Sequence, residues 1–228
     1  MALRPRSGKS PVLRGLFQFS ATHEQGGLIC DAYELEIEIP ESFPEETPVV
    51  REIGHRIPRD GNFHINLREE SLCLGSPLAL RLHLFREPSL NSFASNCIVP
   101  YLYAVSHKLS NGGPFIFGEL DHGEKGELDD YLRIFGLKTH SEALRTLHML
   151  GLKKRIANKR PCPCGCSRRL GVCKFNSVIR PFRLVAKRSW YRGRCIELTP
   201  RPKKALRPSA RTRVSNFAIT NSSSLSVR

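Results

Sequence analysis

Long apolar runs are missing from this chain of 228 residues. A membrane span needs about 20 consecutive apolar residues and none is present, so no membrane partner is expected. Residues 1–14 carry Arg4, Arg6, Lys9 and Arg14 without an apolar block, which argues against a secretory signal and for a cytoplasmic protein. Internal repeats are absent too. Acidic residues are scarce at one end only: residues 1–159 hold 19 Lys and Arg against 20 Asp and Glu, whereas residues 160–228 hold 17 against one, Glu197. The net charge of +15 therefore belongs to the C-terminal third, and a two-part protein is the simplest reading. The length suits one domain of about 150 residues with a smaller appendage.

Cysteine is plentiful but unevenly placed. Four of the eight lie between Cys162 and Cys173, which is metal-ligand spacing rather than a disulfide framework. Cys30 and Cys97 read as small core residues and Cys195 as an unpaired thiol.

From Gly15 to Ile53 the pattern has period two: Tyr33, Leu35, Ile37 and Ile39 alternate with Glu34, Glu36 and Glu38. This predicts two strands joined by a hairpin at residues 24–27, ended by Pro40 and Phe43-Pro44, with a third strand from Val49 to Ile53. A helical stretch from Leu90 to Leu109, interrupted at Pro100, follows a polar loop, and residues 111–128 read as glycine-rich and irregular. The next helix starts at Thr139, where Thr-x-x-Glu142 spells a capping box and Ala143, Leu144, Leu147 and Leu150 form the apolar stripe. Strands followed by helices predict an α+β fold, an antiparallel β-meander with helices packed on one face. Beyond residue 176 the Arg, Ser, Pro and Lys content, with few aromatics such as Trp190 and Tyr191, predicts a disordered basic tail.

Cys73 stands after the polar loop, beside Gly75 and Pro77 and seven residues after Asn66, where a thiol can be exposed. The order of strands, Phe43-Pro44-x-x-x-Pro48, His64-Ile65-Asn66 and Leu72-Cys73-Leu74 resembles the core of a ubiquitin-conjugating enzyme, with its His-Pro-Asn motif and catalytic cysteine. Ile65 replaces the motif's proline and the interval to the cysteine is one residue shorter. These departures fit the looser bacterial relatives, whose Gly-Glu-x-x-His-Gly pattern Gly118 to Gly123 also resembles. The resemblance covers residues 12–137 and implies a UBC-like fold with Cys73 carrying a ubiquitin-like protein, delivered by its activating enzyme, as a thioester. It implies a donor role toward the oxyanion, or a loop-holding role, for Asn66, and a loop-ordering role for His64. His122 reads either as general base for the acceptor amine or as an exposed loop histidine. A thiol hydrolase built on Cys73 and a histidine is a weaker alternative, since no protease nucleophile signature is present.

Pro161-Cys162-Pro163-Cys164-Gly165-Cys166, followed by Arg168, Arg169 and Cys173, resembles the SEC-C motif, a compact zinc knuckle. The resemblance implies structural zinc on Cys162, Cys164 and Cys173. Lys174 stands at the fourth ligand position, so either Cys166 completes the site or the metal is three-coordinate. The expected organisation is thus a catalytic domain at 12–137, a helical extension at 138–160, the knuckle at 161–176 and the basic tail at 177–228. That tail would attract a polyanion such as nucleic acid. The rival to an enzyme is a non-catalytic adaptor of the same fold, with an inert Cys73 and a knuckle and tail that bind nucleic acid or a protein.

Overall fold

The computed structural model of the chain describes residues 2–4, 10–66, 68–117 and 123–200. The period-two segment forms the expected meander. Strands β2 (Val12–His23) and β3 (Gly27–Glu38) pair in register from Val12 opposite Glu38 to His23 opposite Gly27. Strand β4 (Val49–Glu52) extends the sheet beyond β3, and β1 (Ala2–Arg4) pairs with the other side of β2, all antiparallel. At the hairpin the Gly26 N–H donates to the His23 carbonyl (3.3 Å), and Gly27 takes a φ of 68°, a conformation glycine enters without a Cβ penalty. Alternation then sorts the faces. Tyr33, Leu35, Ile37 and Val50 are buried, while Glu36 and Glu38 on the other face meet Arg51 at 3.2 and 3.1 Å. Cys30 departs from expectation: it lies on the exposed face, with its sulfur 3.2 Å from Ser20 Oγ, because strand parity sets it opposite the core side.

The helical stretch after the loop is continuous, although Pro100 predicts a break. α2 (Leu90–Phe93), a wide π-turn at Ala94–Ile98 and α3 (Val99–Asn111) follow one another directly. The π-turn takes up the backbone mismatch, leaving Pro100 in the first turn of α3, where its missing N–H is tolerated. Phe93, Ile98, Leu102 and Val105 bury against the sheet.

Asp31, on β3, sits in a side-chain network behind this core. Tyr33 Oη donates to Ser106 Oγ (2.8 Å), Ser106 donates to Asp31 (2.7 Å), and Arg56 grips both Asp31 oxygens (2.5 and 2.9 Å). Burial opposes the carboxylate charge, but the bonds from Arg56, Ser106 and the Ala32 N–H outweigh it and hold the pKa below its usual value of 3.8. A carboxyl depressed by folding contributes stability above its unfolded pKa and loses it as the pH falls through the folded one. Urea unfolding from pH 5 to 2 is therefore expected to show a shallower acid loss in Asp31→Asn than in the wild type. Parallel losses in the two proteins would contradict this role.

The second half of the chain builds its own core. α1 (Pro77–Arg86), α4 (Gly123–Phe135), α5 (His140–Gly151), the short α6 (Lys154–Ala157), α7 (Phe175–Ile179) and α8 (Phe182–Val185), and α9 (Arg188–Leu198) surround Leu78, Leu128, Tyr131, Phe135, Leu147, Leu150, Ile179 and Tyr191. The Thr139–Glu142 capping box is present in full. α1 is the seam: Leu78 and Leu82 face this core, and Leu80 and Leu84 face the sheet core. α4 was not expected, since residues 111–128 read as irregular. Its packing on α5 also sets the boundary between the two cores before residue 137.

The expected disordered tail is corrected over residues 177–200, which are helical and packed. These residues need no core of their own, because they complete that of α5. Gly151 allows the contact: a Cβ there would lie 2.7 Å from Arg192 Cγ. The arginines that suggested disorder are structural. Arg183 donates to the carbonyls of Met149 (3.0 Å), Leu150 (3.4 Å) and Leu152 (3.1 Å), satisfying the open C-terminal end of α5. Residues 201–228 of the expected tail lie outside the described residues. The whole is an α+β protein with a small antiparallel sheet, and among the described residues no helix is long and apolar enough to cross a membrane.

Candidate functional site

Two short strands place Cys73. β5 (Ile65–Asn66) and β6 (Ser71–Leu72) pair antiparallel, Ile65 opposite Leu72 and Asn66 opposite Ser71, and the Cys73 N–H donates to the His64 carbonyl at 2.8 Å. Cross-strand partners share a face and successive residues alternate. Ile65 and Leu72 are buried at 7% and 6%, so Asn66, Ser71 and Cys73 fall on the outward face together. His64 starts the ladder from a left-handed φ of 51°, its ring edge-on to Phe115 at 4.9 Å. Tyr101 Oη donates to the Phe63 carbonyl (2.7 Å) and Lys108 Nζ to that of Asn62 (2.9 Å), tying the preceding loop to α3. The structure thus brings Cys73, Asn66 and His64 together. His122, with Glu119 and Asp121, lies outside the described residues.

Cys73 is exposed, at the edge of a cleft of about 930 Å³ between the sheet unit and the helical unit. The opposite wall, invisible to sequence reasoning, comes from α4 and α9. Arg194 pairs with Glu127 and with Glu197, and Tyr131 Oη also donates to Glu127. Asp130 receives the hydroxyl of Ser76, which caps α1 by accepting the Ala79 N–H (3.2 Å). Glu124, Glu127, Asp130 and Glu197 all border the cleft. Glu127 and Tyr131 stand four apart on α4, a local signal that could have been read. Arg194 arrives from 67 residues beyond Glu127 and has none.

The walls of the cleft desolvate a thiolate at Cys73 and push its pKa above the ordinary value. The Gly75 backbone N–H pulls it back, and the Glu127 charge adds to the rise. At neutral pH the sulfur therefore rests as a thiol. Asn66 stands on its face as a neutral side chain that can donate without changing this balance.

The second constellation is sharper. The sulfurs of Cys162, Cys164, Cys166 and Cys173 all lie within 4.8 Å of one another, at 3.2 Å for 162–164, 3.7 Å for 164–173 and 3.5 Å for 166–173. Thiolates on a tetrahedral ion at about 2.3 Å stand about 3.8 Å apart, so the four residues could hold a metal ion with little movement. Cys166 therefore joins the other three, and Lys174 is not needed. The loop is shaped for this: Pro161 bridges Arg169, the Cys162 N–H donates to the Arg168 carbonyl (2.8 Å), and Gly165 and Ser167 take left-handed φ values of 76° and 60°. The Phe175 N–H points at Cys173 Sγ (3.4 Å), the outer hydrogen bond that steadies a ligand. Arg145 on α5 donates to the Pro163 carbonyl (3.1 Å), docking the knuckle on the helical core. Burial raises the Cys162 and Cys164 thiols, while the Arg168 backbone N–H and the Cys173 thiol bring Cys166 down to about 6. Comparison with protein-family models, with curated proteins and with solved structures finds no match for this chain.

Proposed function

We propose that the chain is a conjugating enzyme of the ubiquitin-like kind, carrying a modifier as a thioester on Cys73 and passing it to an amine. The carrying observation is an exposed thiol at the edge of a cleft, on one ladder face with Asn66. The Cys73 thiolate attacks the thioester carbonyl that joins the modifier to its activating enzyme, and the enzyme's own thiolate leaves. The acceptor nitrogen then attacks the new carbonyl, loses a proton, and expels Cys73 as thiolate, so an amide replaces the thioester. In this reading Asn66 donates to the oxyanion of either step, a contribution typically worth about 2.7–4 kcal/mol. The carboxylates of the facing wall favour a cationic acceptor such as lysine. The four-thiol cluster takes zinc in this reading, since closed four-sulfur sites suit that ion. His64 serves to order the loop.

A raised thiol pKa slows idle reaction of Cys73 with solutes. It is also the observation that favours the adaptor, in which Cys73 is inert. A glycylglycine peptide bearing a C-terminal mercaptoethanesulfonate thioester separates the two. Wild-type protein is expected to gain a peptide on Cys73, located by peptide mapping and removed by dithiothreitol, with a rate that climbs as the pH rises toward 9, and Cys73→Ala is expected to gain none in that segment. If intact mass shows no adduct on Cys73 at any pH while the denatured chain reacts, the adaptor stands.

A further inference from the structure

The cations around the four-thiol cluster are not used by the chemistry at Cys73. Between Lys153 and Lys174 the chain holds eight Lys and Arg and no carboxylate. Folding brings the two basic segments side by side. The Gly171 N–H donates to the Asn158 carbonyl (3.0 Å) and the Leu170 N–H to that of Arg160 (2.9 Å), so the segment that runs through α6 lies beside the loop from Arg168 to Lys174. A Cβ on Gly171 would stand 3.0 Å from the Asn158 carbonyl oxygen, a measure of how closely the two run. Arg168 hydrogen-bonds to the Cys166 sulfur. The other seven, Lys153, Lys154, Arg155, Lys159, Arg160, Arg169 and Lys174, are exposed, and among the described residues none makes an ion pair. Four thiolates closed on a divalent ion would return only two negative charges to this face.

We infer that this folded basic face, with α6 on one side and the cysteine loop on the other, binds the phosphodiester backbone of nucleic acid. Like charges crowded at this density repel one another and destabilise the fold unless an anion meets them. A phosphate backbone answers with one charge at each short step and requires no matching side-chain pattern. The face holds no exposed aromatic ring, Phe175 being 8% exposed, so bases have nothing to stack on and the contacts are to phosphate. Ile156 and Val172 are its exposed aliphatic tips, too small an apolar surface to anchor in a lipid bilayer. Four of the seven cations are lysines, which protein interfaces tend to exclude.

Anisotropy of a fluorescein-labelled 20-base-pair duplex of mixed sequence, titrated with the full chain at 50–200 mM NaCl, tests this. Each phosphate contact contributes about −0.9 to the slope of log affinity against log salt. The variant Lys154→Gln/Arg155→Gln/Arg169→Gln/Lys174→Gln is expected to bind at least about tenfold more weakly and to lose about three to four from that slope. Arg86→Gln, an exposed cation at the C-terminal end of α1, should match the wild type. Wild-type affinity in the fourfold variant would place any binding elsewhere in the chain and overturn the inference. So would failure of the wild type to bind the duplex at 50 mM NaCl, or a preference for phosphatidylserine vesicles or poly-glutamate over the duplex.

Discussion

Cys173→Ser is expected to abolish stoichiometric metal binding and to unfold the segment between α6 and α7, the largest single effect foreseen for this protein. Residues 158–174 contain only a one-turn 3-10 helix at Leu170–Val172, and besides Cys162 and Cys173 the apolar groups they bury are Pro163 and Leu170. A loop of that length costs about 1–2 kcal/mol of backbone entropy per ordered residue, which one leucine and one proline cannot offset. Metal coordination can, since structural zinc sites in small peptides supply roughly 10–16 kcal/mol at neutral pH. The wild type should carry one metal per chain by elemental analysis and resist trypsin at Lys159, Arg168 and Arg169. The serine variant should lack the metal and be cut there rapidly. Metal-free wild-type protein with undiminished protease resistance would show that the four sulfurs need no ion.

Tyr191→Ala comes second. The ring of Tyr191 is fully buried among α5, α8 and α9, and its hydroxyl donates to the Phe182 carbonyl. Truncating a buried aromatic to alanine costs about 3–5 kcal/mol. Tyr191→Phe removes only the hydrogen bond, for about 1–3 kcal/mol if the carbonyl is left dry. Urea denaturation should rank the proteins in that order. The same variant should reach the cleft: Arg194 and Leu198 belong to its wall, so loosening α9 releases Glu127 and opens Cys73, raising its rate of alkylation by iodoacetamide. Were residues 177–200 disordered, Tyr191→Ala would behave as a surface change, within about 0.5 kcal/mol. That outcome would remove the helical wall from the site.

The strands were legible because one face is buried and the other carries glutamates, the condition under which alternation survives in sequence. The Thr139 cap was legible because it is local. α1 was not, and the reason is visible in Leu78, Leu80, Leu82 and Leu84. Their spacing of two mimics a strand, yet on a helix residues four apart share a face, so the four leucines form two stripes, one for each core. Only Ser76-Pro77, a cap followed by proline in the first turn, marked a helix start. α4 was hidden by Gly123 and Gly126, poor helix formers that packing overrides. The tail was misread because composition counts arginines without seeing the carbonyls of α5 that Arg183 satisfies, or the Glu127 that Arg194 meets.

Sequence alone determined the strand alternation with its hairpin, the helix cap and the clustering of four cysteines in the chain, all of which depend on neighbours within a few residues or on strict alternation. Cys73 was singled out by its place after a polar loop, and Asn66 by the resemblance of the segments around them to a conjugating-enzyme core; the ladder that joins them was not legible. The tertiary structure decided what faces Cys73, and it decided that Cys166 stands with the other three sulfurs. It also decided that residues 177–200 of the basic segment form a folded wall. Each of these turns on contacts between residues far apart in the chain, and burial there is set by the partner surface, which no local pattern of residues encodes.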